Sequence, residues 1–327
     1  MINLPFLRIR LDRDADGRPA ALRVQVGRSL SPLGALAGGG SVAADQEERG
    51  KWVIDASNMG LRERLLEFWR YRRVLSYFST RAVQGLYKGT TLGPFWLFAR
   101  PLLPIAISAF IFGSVLDVGS DGVPYFLFFM TGNVTWMVFE RGLRFVSRSF
   151  DQSKGLVKKI YFPRLIAPFA SILPALVQAG VYLALFFGSL LYYLVREHHW
   201  YLVLSPRIVF ALVSMFLAIF FTIAVGLWTS VWQARFQDMK YTLRYITRFW
   251  HYATPVIYPI SQIPPQYRWL IYANPMAPVV ETFKWATLGI GDFYPAALLC
   301  SFTITSVVFV GGVWYFGKAE ASSVDRL

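Results

Sequence analysis

Residues 165–195 of this chain run without one charged side chain, and so do residues 208–234. Apolar stretches of about 17–25 residues cross a bilayer as helices, because hydrocarbon offers the backbone N–H and C=O groups no partner outside the helix. That feature commits much of the chain to a membrane, and two more stretches extend it. Residues 94–116 hold a single charge, Arg100, and residues 295–316 hold none. Residues 123–139 are uncharged but short, so this span is expected to continue past Glu140, to about residue 144. The weakest stretch, 241–260, carries Arg244, Arg248 and His251 in its first half. A central Arg costs about 2.5–3.5 kcal/mol, whereas each Leu or Phe returns at most about 0.6. Both arginines must then lie near one interface, where their stems can reach water. The expectation is an all-α integral membrane protein with six transmembrane helices, at about 94–116, 123–144, 165–195, 208–234, 241–260 and 295–316, in a unit covering 94–327.

The charge confirms that reading by its placement. The chain has 33 Lys+Arg against 19 Asp+Glu, a formal net charge of +14, although only 16% of its residues are charged and 55% are hydrophobic. A soluble nucleic-acid binder would carry such an excess on a solvated surface. Here the connections must hold it. If they alternate sides, segments 1–93, 141–164, 235–248 and 317–327 carry 28 of the basic residues. The opposite side carries Arg196, Arg268 and Lys284 only. The positive-inside rule then places both termini in the cytoplasm. The first long apolar run begins near residue 94, so no cleavable leader is expected. The single cysteine, Cys300, excludes an internal disulfide and any multi-cysteine metal site.

The segments outside the spans have their own character. Residues 6–28 alternate apolar and polar around Asp16 and Gly17, which predicts a small hairpin within a cytoplasmic extension, 1–50, that ends in a Gly/Ala/Ser-rich linker. In 51–93, Leu61, Leu65, Phe68, Leu75 and Phe78 follow helical spacing, with Glu63, Glu67, Arg70 and Arg73 opposite. An aromatic, Arg-rich amphipathic helix before a first span suits the membrane interface. Residues 261–294 form a long external connection, rich in proline and aromatic residues but without a run long enough to span. Short re-entrant helices dipping into the outer leaflet would hide those side chains from water.

Several motif-like patterns fail on chemistry. Gly312–Lys318 imitates the start of a phosphate loop, but Ala319 stands where the metal-binding hydroxyl belongs and no strand precedes it. Asp12, Asp14, Asp16 and Gly17 imitate a calcium loop whose bidentate Glu would fall at Arg23. The sequon at Asn133 lies inside a span. His198 and His199 read as loop residues, and His251 reads as a helix-packing or interfacial residue. The clear spans contain no mid-span acid of the kind that marks ion-coupled transport, and the sequence has no nucleotide-binding fingerprint. Any energy for transport must come from another subunit.

Three blocks then carry a family likeness. Tyr87-Lys88-Gly89-Thr90-Thr91-Leu92-Gly93-Pro94-Phe95-Trp96, followed by Arg100-Pro101-Leu102, resembles the start of the membrane domain in type-2 ABC exporter permeases for polysaccharides. Residues 155–169, with Lys158, Lys159, Phe162, Pro163 and Arg164, resemble the loop between the second and third helices of that family. Residues 235–289 resemble its fifth-helix region and external re-entrant pair, with Pro255, Tyr258, Pro259, Pro264, Asn274, Pro275, Met276 and Glu281 in register. The chain departs from the family at Arg81-Ala82-Val83-Gln84, where an acid–base contact is usual.

The resemblance implies a non-enzymatic transport subunit in a bacterial inner membrane. It implies a homodimer bound to two copies of a cytoplasmic ATPase, with ATP and Mg on that partner and no cofactor in this chain. The implied cargo is an undecaprenyl-linked polysaccharide such as O-antigen. Residues Arg81, Tyr87, Lys88 and Arg100 are expected to receive the lipid phosphate. Trp96, Phe126, Phe129, Trp136, Phe139 and Tyr258 are candidate linings of the conduit, where aromatic faces could stack on sugars. Asp151, Lys154, Lys158, Lys159, Tyr161 and Phe162 are expected to couple to the ATPase. Pro264, Trp269, Asn274, Pro275 and Glu281 are expected to close the external side. The competing readings are a type-2 ABC permease for a drug or small lipid, and an integral-membrane glycan transferase.

Overall fold

The structure, a computed structural model, describes residues 7–13, 19–26, 72–85, 95–152 and 165–324. The chain divides into two compact units, Arg62–Glu320 and a smaller one that contains the N-terminal residues. In the smaller unit, strands β1 (Leu7–Arg13) and β2 (Pro19–Val26) pair antiparallel, with Leu7 opposite Val26 and Leu11 opposite Leu22. The alternating pattern therefore gives the expected hairpin. The turn at Asp16–Gly17, the linker, and the interfacial segment before residue 72 lie outside the described residues.

In the larger unit every described element is helical. Helix α1 (Arg72–Gln84) half-buries Val74, Leu75, Phe78, Ala82 and Val83, which share one face at helical spacing, and leaves Arg73, Tyr77 and Arg81 exposed. Helix α2 (Phe95–Phe110) tolerates Pro101 and Pro104 and ends in a π turn, Ile111–Val115. There Gly113 lies so close to the Tyr125 side chain that a Cβ would approach its Cβ to 2.7 Å. Helix α3 (Tyr125–Ser147) continues past Glu140 as expected. Arg141 and Arg144 are therefore helical residues, not loop residues. Helices α4 (Ile166–Ala170) and α5 (Leu173–Glu197) form one bent span, followed by α6 (Ile208–Arg235).

Among the described residues, four helical segments are long and apolar enough to cross a membrane: Phe95–Val115, Ile166–Glu197, Ile208–Arg235 and Pro295–Ala319. They coincide with the four plainest runs in the sequence. Helix α3 differs because it lies inside the bundle, packed against α5, α6 and α9 (Met276–Leu288). A helix walled by protein can carry polar groups that lipid would penalise. Its own carbonyls satisfy two of them: Thr131 Oγ1 donates to Leu127 O at 2.7 Å and Asn133 Nδ2 to Phe129 O at 2.8 Å. Ser147 Oγ reaches both Leu143 O (2.6 Å) and Thr229 Oγ1 on α6 (2.7 Å). Lipid supplies no hydrophobic drive between helices, so close packing and such hydrogen bonds must join them.

The span expected at 241–260 is corrected. Helix α7 (Met239–Tyr252) has 14 residues and ends before Pro255 and Pro259. At 1.5 Å per residue it is about 21 Å long, short of the roughly 30 Å hydrocarbon core. Proline lacks the N–H that would continue the ladder and disfavours helix at the residue before it. The chain proceeds through turns, 3₁₀ segments at Ile260–Gln262 and Pro265–Tyr267, then α8 (Arg268–Tyr272) and α9. Helix α10 (Pro295–Val324) returns along α6, where Trp228 Nε1 donates to Val308 O at 2.9 Å and the Trp228 and Tyr315 rings stack 4.9 Å apart.

Candidate functional site

Three places in the larger unit depart from simple helix packing. The first is an open groove of about 710 Å³ where α2, the start of α3 and the second half of α5 diverge. Its walls are mostly apolar, with Phe98, Leu102, Phe110, Phe126, Leu185 and Tyr192 around small residues such as Ala106 and Gly188.

The second is a narrow cleft of about 40 Å³ near the start of α2, where Trp96, Arg100 and Pro101 face Arg141 of α3 and Gln178 and Tyr182 of α5. The Arg100 guanidinium sits 5.7 Å from the centre of the Trp96 ring. Arg141 lies against the Tyr182 hydroxyl. Its Nε is nevertheless buried without a hydrogen-bond partner, as is Gln178 Oε1. Glu140, next to Arg141 in sequence, pairs with Arg144 at 3.0 Å. Arg144 in turn has Glu140 and then Arg141, Arg244 and Arg148 as electrostatic neighbours.

The third is the region around α9, nearly all of which is buried. Lys284 is 1% exposed. Its Nζ donates to Pro255 O at 2.5 Å, lies 3.6 Å from the centre of the Phe128 ring, and stands 3.5 Å from Glu281 Oε1. That last contact is an ion pair without hydrogen-bond alignment, since Glu281 Oε1 has no hydrogen-bond partner. Gly132 of α3 makes the approach possible, because a Cβ there would meet Lys284 Cε at 3.1 Å and Val256 Cα at 3.2 Å. Next to it, Asn274 Oδ1 accepts from Trp250 Nε1 (2.8 Å) and Met276 N (3.0 Å), while its Nδ2 donates to Thr254 Oγ1 (2.8 Å). Pro275 O accepts from Ser301 Oγ of α10 at 2.7 Å. The break in α7 is thus filled by ordered polar contacts.

The sequence-predicted residues distribute unevenly over these places. Arg100 and Trp96 reach the cleft and Phe126 lines the groove. Arg81 is exposed on α1, and Tyr87 and Lys88 lie outside the described residues. Phe129, Trp136 and Phe139 offer no open face to a passing chain, as they are at most 4% exposed within the protomer. Their rings pack instead: Phe139 lies 5.3 Å from Trp136, 5.3 Å from Phe221 and 5.0 Å from Trp250. His251 stacks on Trp136 at 5.2 Å and on Phe129 at 6.4 Å, a helix-packing role, with its Nε2 and Trp136 Nε1 lacking hydrogen-bond partners. Tyr258 is half-buried and its hydroxyl donates to Tyr252 O at 3.2 Å. Asp151 is exposed at the end of the α3 region, whereas Lys154, Lys158, Lys159, Tyr161 and Phe162 lie outside the described residues. Pro264 caps a 3₁₀ turn, Trp269 is 68% exposed, and Asn274, Pro275 and Glu281 belong to the α9 contacts.

Sequence reasoning missed Lys284, Arg141, Gln178 and Tyr182. A signal existed for Arg141, because a charge embedded in a helix that must cross the membrane is costly and points to a function.

Comparison with known proteins identifies the family. Residues 73–288, well over half of the chain, match the family model described as ABC-2 type transporter. The chain belongs to that family. It is 25% identical over 220 residues to the O-antigen export system permease protein RfbA of Myxococcus xanthus, covering 67% of this chain and 81% of that protein. A protein of the same name from Klebsiella pneumoniae is 26% identical over 198 residues, covering 61% and 73%. The inner membrane transport permease YadH of Escherichia coli K12 is 26% identical over 203 residues, covering 59% and 75%.

Proposed function

We propose that this chain is the membrane-spanning permease subunit of an ATP-driven exporter that moves a lipid-linked polysaccharide of the O-antigen type out of the cytoplasm. The similarity to a permease named for O-antigen export, over 67% of the chain, carries this reading. In it, two copies of the chain form the conduit and two copies of a separate ATPase dock on the cytoplasmic face, supplying ATP and Mg. The chain sits in the bacterial inner membrane with both termini cytoplasmic. Its crossings are the four long apolar helices and α3, which relies on protein neighbours, while the 14-residue α7 reaches only part of the way. Helix α9 acts as the external re-entrant element. Arg81, Tyr87, Lys88 and Arg100 receive the lipid phosphate, and Asp151 with the following basic segment transmits ATPase closure. Trp96, Phe126 and Tyr258 are the aromatic residues left to touch sugars.

Deleting the gene in its host and measuring surface polysaccharide tests the proposal. Loss of the surface polymer, with lipid-linked polymer accumulating inside, is expected. Wild type should restore export, while Lys88→Ala and Arg81→Ala, inserted normally, should restore it only in part. Surface polysaccharide undiminished by the deletion would overturn the proposal. The likeness to YadH, named only as an inner membrane transport permease, leaves room for one second reading, a permease for a drug or small lipid. In that case the deletion would change tolerance to the compound and leave the polysaccharide intact.

A further inference from the structure

We infer that Glu281 is an acid-sensitive lock: a proton on its carboxyl holds α9 seated, and acid on the external side keeps the exit closed. The consequence for export rests on the reading of α9 as the external element of an exporter, whereas the chemistry of Glu281 does not.

The two members of the buried pair are unequally provided for. Lys284 Nζ has the Pro255 carbonyl and the Phe128 ring besides the Glu281 charge, so it keeps partners when that charge is lost. Glu281 is 4% exposed, and its Oε1 has the Lys284 charge but no hydrogen bond. Its other oxygen, Oε2, lies against Gly291, where a Cβ would approach it to 2.8 Å. Gly291 is exposed, with φ +73°, so the carboxyl is buried yet a short step from the surface.

The charged and titratable groups around Glu281 come from several elements. Lys284 lies one turn further along α9, Asp121 in the connection between α2 and α3, and Asp292 in the turn after α9. The hydroxyls of Tyr258 and of Tyr272 in α8 also feel its charge. Burial disfavours the carboxylate, Lys284 opposes that, and the two aspartates reinforce it. Burial prevails, so seated Glu281 keeps its proton to higher pH than an ordinary Glu.

Any motion that lifts α9 brings Glu281 to water, where it titrates near the ordinary value of about 4.3. The seated form therefore binds the proton more tightly, and by linkage acid favours it. Below about pH 4.3 both forms are protonated and the dependence vanishes. Above it, the opening equilibrium changes by at most about tenfold per pH unit, the limit for one proton.

The test is hydrogen exchange over α9 in the chain with its ATPase in nanodiscs, expressed as protection factors from about pH 5 to 7.5. That range stays below the point, lowered by burial to about 8, at which Lys284 releases its own proton. In wild type, protection of α9 should rise as pH falls, by up to about tenfold per unit. Glu281→Gln imitates the protonated carboxyl and should be protected to one degree throughout. Asp292→Asn, at an exposed position, removes a negative neighbour and should move the profile to lower pH. A flat wild-type profile, or a Glu281→Gln profile like that of wild type, would overturn the lock. If Glu281→Gln fails to fold, Asp292→Asn decides alone, and a profile it leaves in place overturns the lock.

Export is read separately, as the rate at which polysaccharide reaches the surface in acidified and in neutral medium. Wild-type cells should export more slowly in acid, and Glu281→Gln cells at one rate in both. A wild-type rate that ignores pH would overturn the role at the exit. Acid-independent protection with polysaccharide lost on gene deletion would sink the lock alone. Acid-responsive protection with surface polysaccharide unaffected by gene deletion would sink the export reading alone.

Discussion

The two ends of α3 treat buried polar groups in opposite ways. Near its start, Lys284 enters from α9 and finds a carbonyl, an aromatic face and a carboxylate within the protein. Asn274 nearby is matched on both sides of its amide. Near its end, Arg141 Nε faces the cleft unpaired, across from the equally unpaired Gln178 Oε1. Desolvation is costly at both places, so the difference lies in who provides the partner. The α9 end supplies Lys284 and Asn274 with hydrogen-bond partners from the fold, and leaves Glu281 Oε1 with the Lys284 charge alone. The cleft end leaves Arg141 Nε and Gln178 Oε1 without one.

Substitutions can break this contrast, and the largest effect is expected at Lys284. Lys284→Ala strands Glu281 as a buried carboxylate and should cost about 3–5 kcal/mol, the range for breaking a buried pair. It would be read as a large fall in melting temperature in detergent. The double variant Lys284→Met with Glu281→Gln should recover much of that loss. A double variant as unstable as Lys284→Ala would show that packing, not charge, holds α9. Asn274→Ala should cost about 1–3 kcal/mol by leaving Trp250 Nε1 without its acceptor. Gly132→Ala crowds Lys284 Cε and Val256, and overpacking of this kind costs about 1–3 kcal/mol. Hydrogen exchange over α9 would report it as local loosening.

At the opposite end the sign changes. Gln178→Leu removes an unpaired acceptor and should leave the melting temperature of the lipid-free protein unchanged or slightly raised, by less than about 1 kcal/mol. A fall like that of Asn274→Ala would show that Gln178 already has a partner and would erase the contrast.

Legibility in the sequence follows the range of the interaction. The four apolar spans and the hairpin depend on neighbours in sequence, and their positions were readable from hydropathy and alternation. Continuation of α3 past Glu140 was readable from the minimum length of a span. The shortening of α7 was not, because hydropathy averages over Pro255 and Pro259 while the backbone stops before them. Trp136 and Phe139 resembled conduit linings because composition records an aromatic ring but not the Phe221 and Trp250 rings packed on it. Lys284 resembled a surface charge on an external connection for the same reason. The cleft was the least legible feature, since Arg100, Arg141 and Gln178 come from three helices and meet only in the folded bundle.

The buried position of α3 also bears on how the protein is made. This helix leaves the ribosome with only α2 ahead of it among the described spans, yet its walls are α5, α6 and α9. Between Ser147 and the end of α9 at Leu288 lie about 140 residues, or roughly 7–30 s of synthesis at about 5–20 residues per second. Within that interval the walls arrive in turn, α5 and α6 before α9, so the segment carrying Glu140, Arg141 and Arg144 starts with only α2 beside it. The central helix is made early and seated late, so biogenesis calls for the insertion machinery, or a chaperone beside it, to shelter that segment until the last walls arrive.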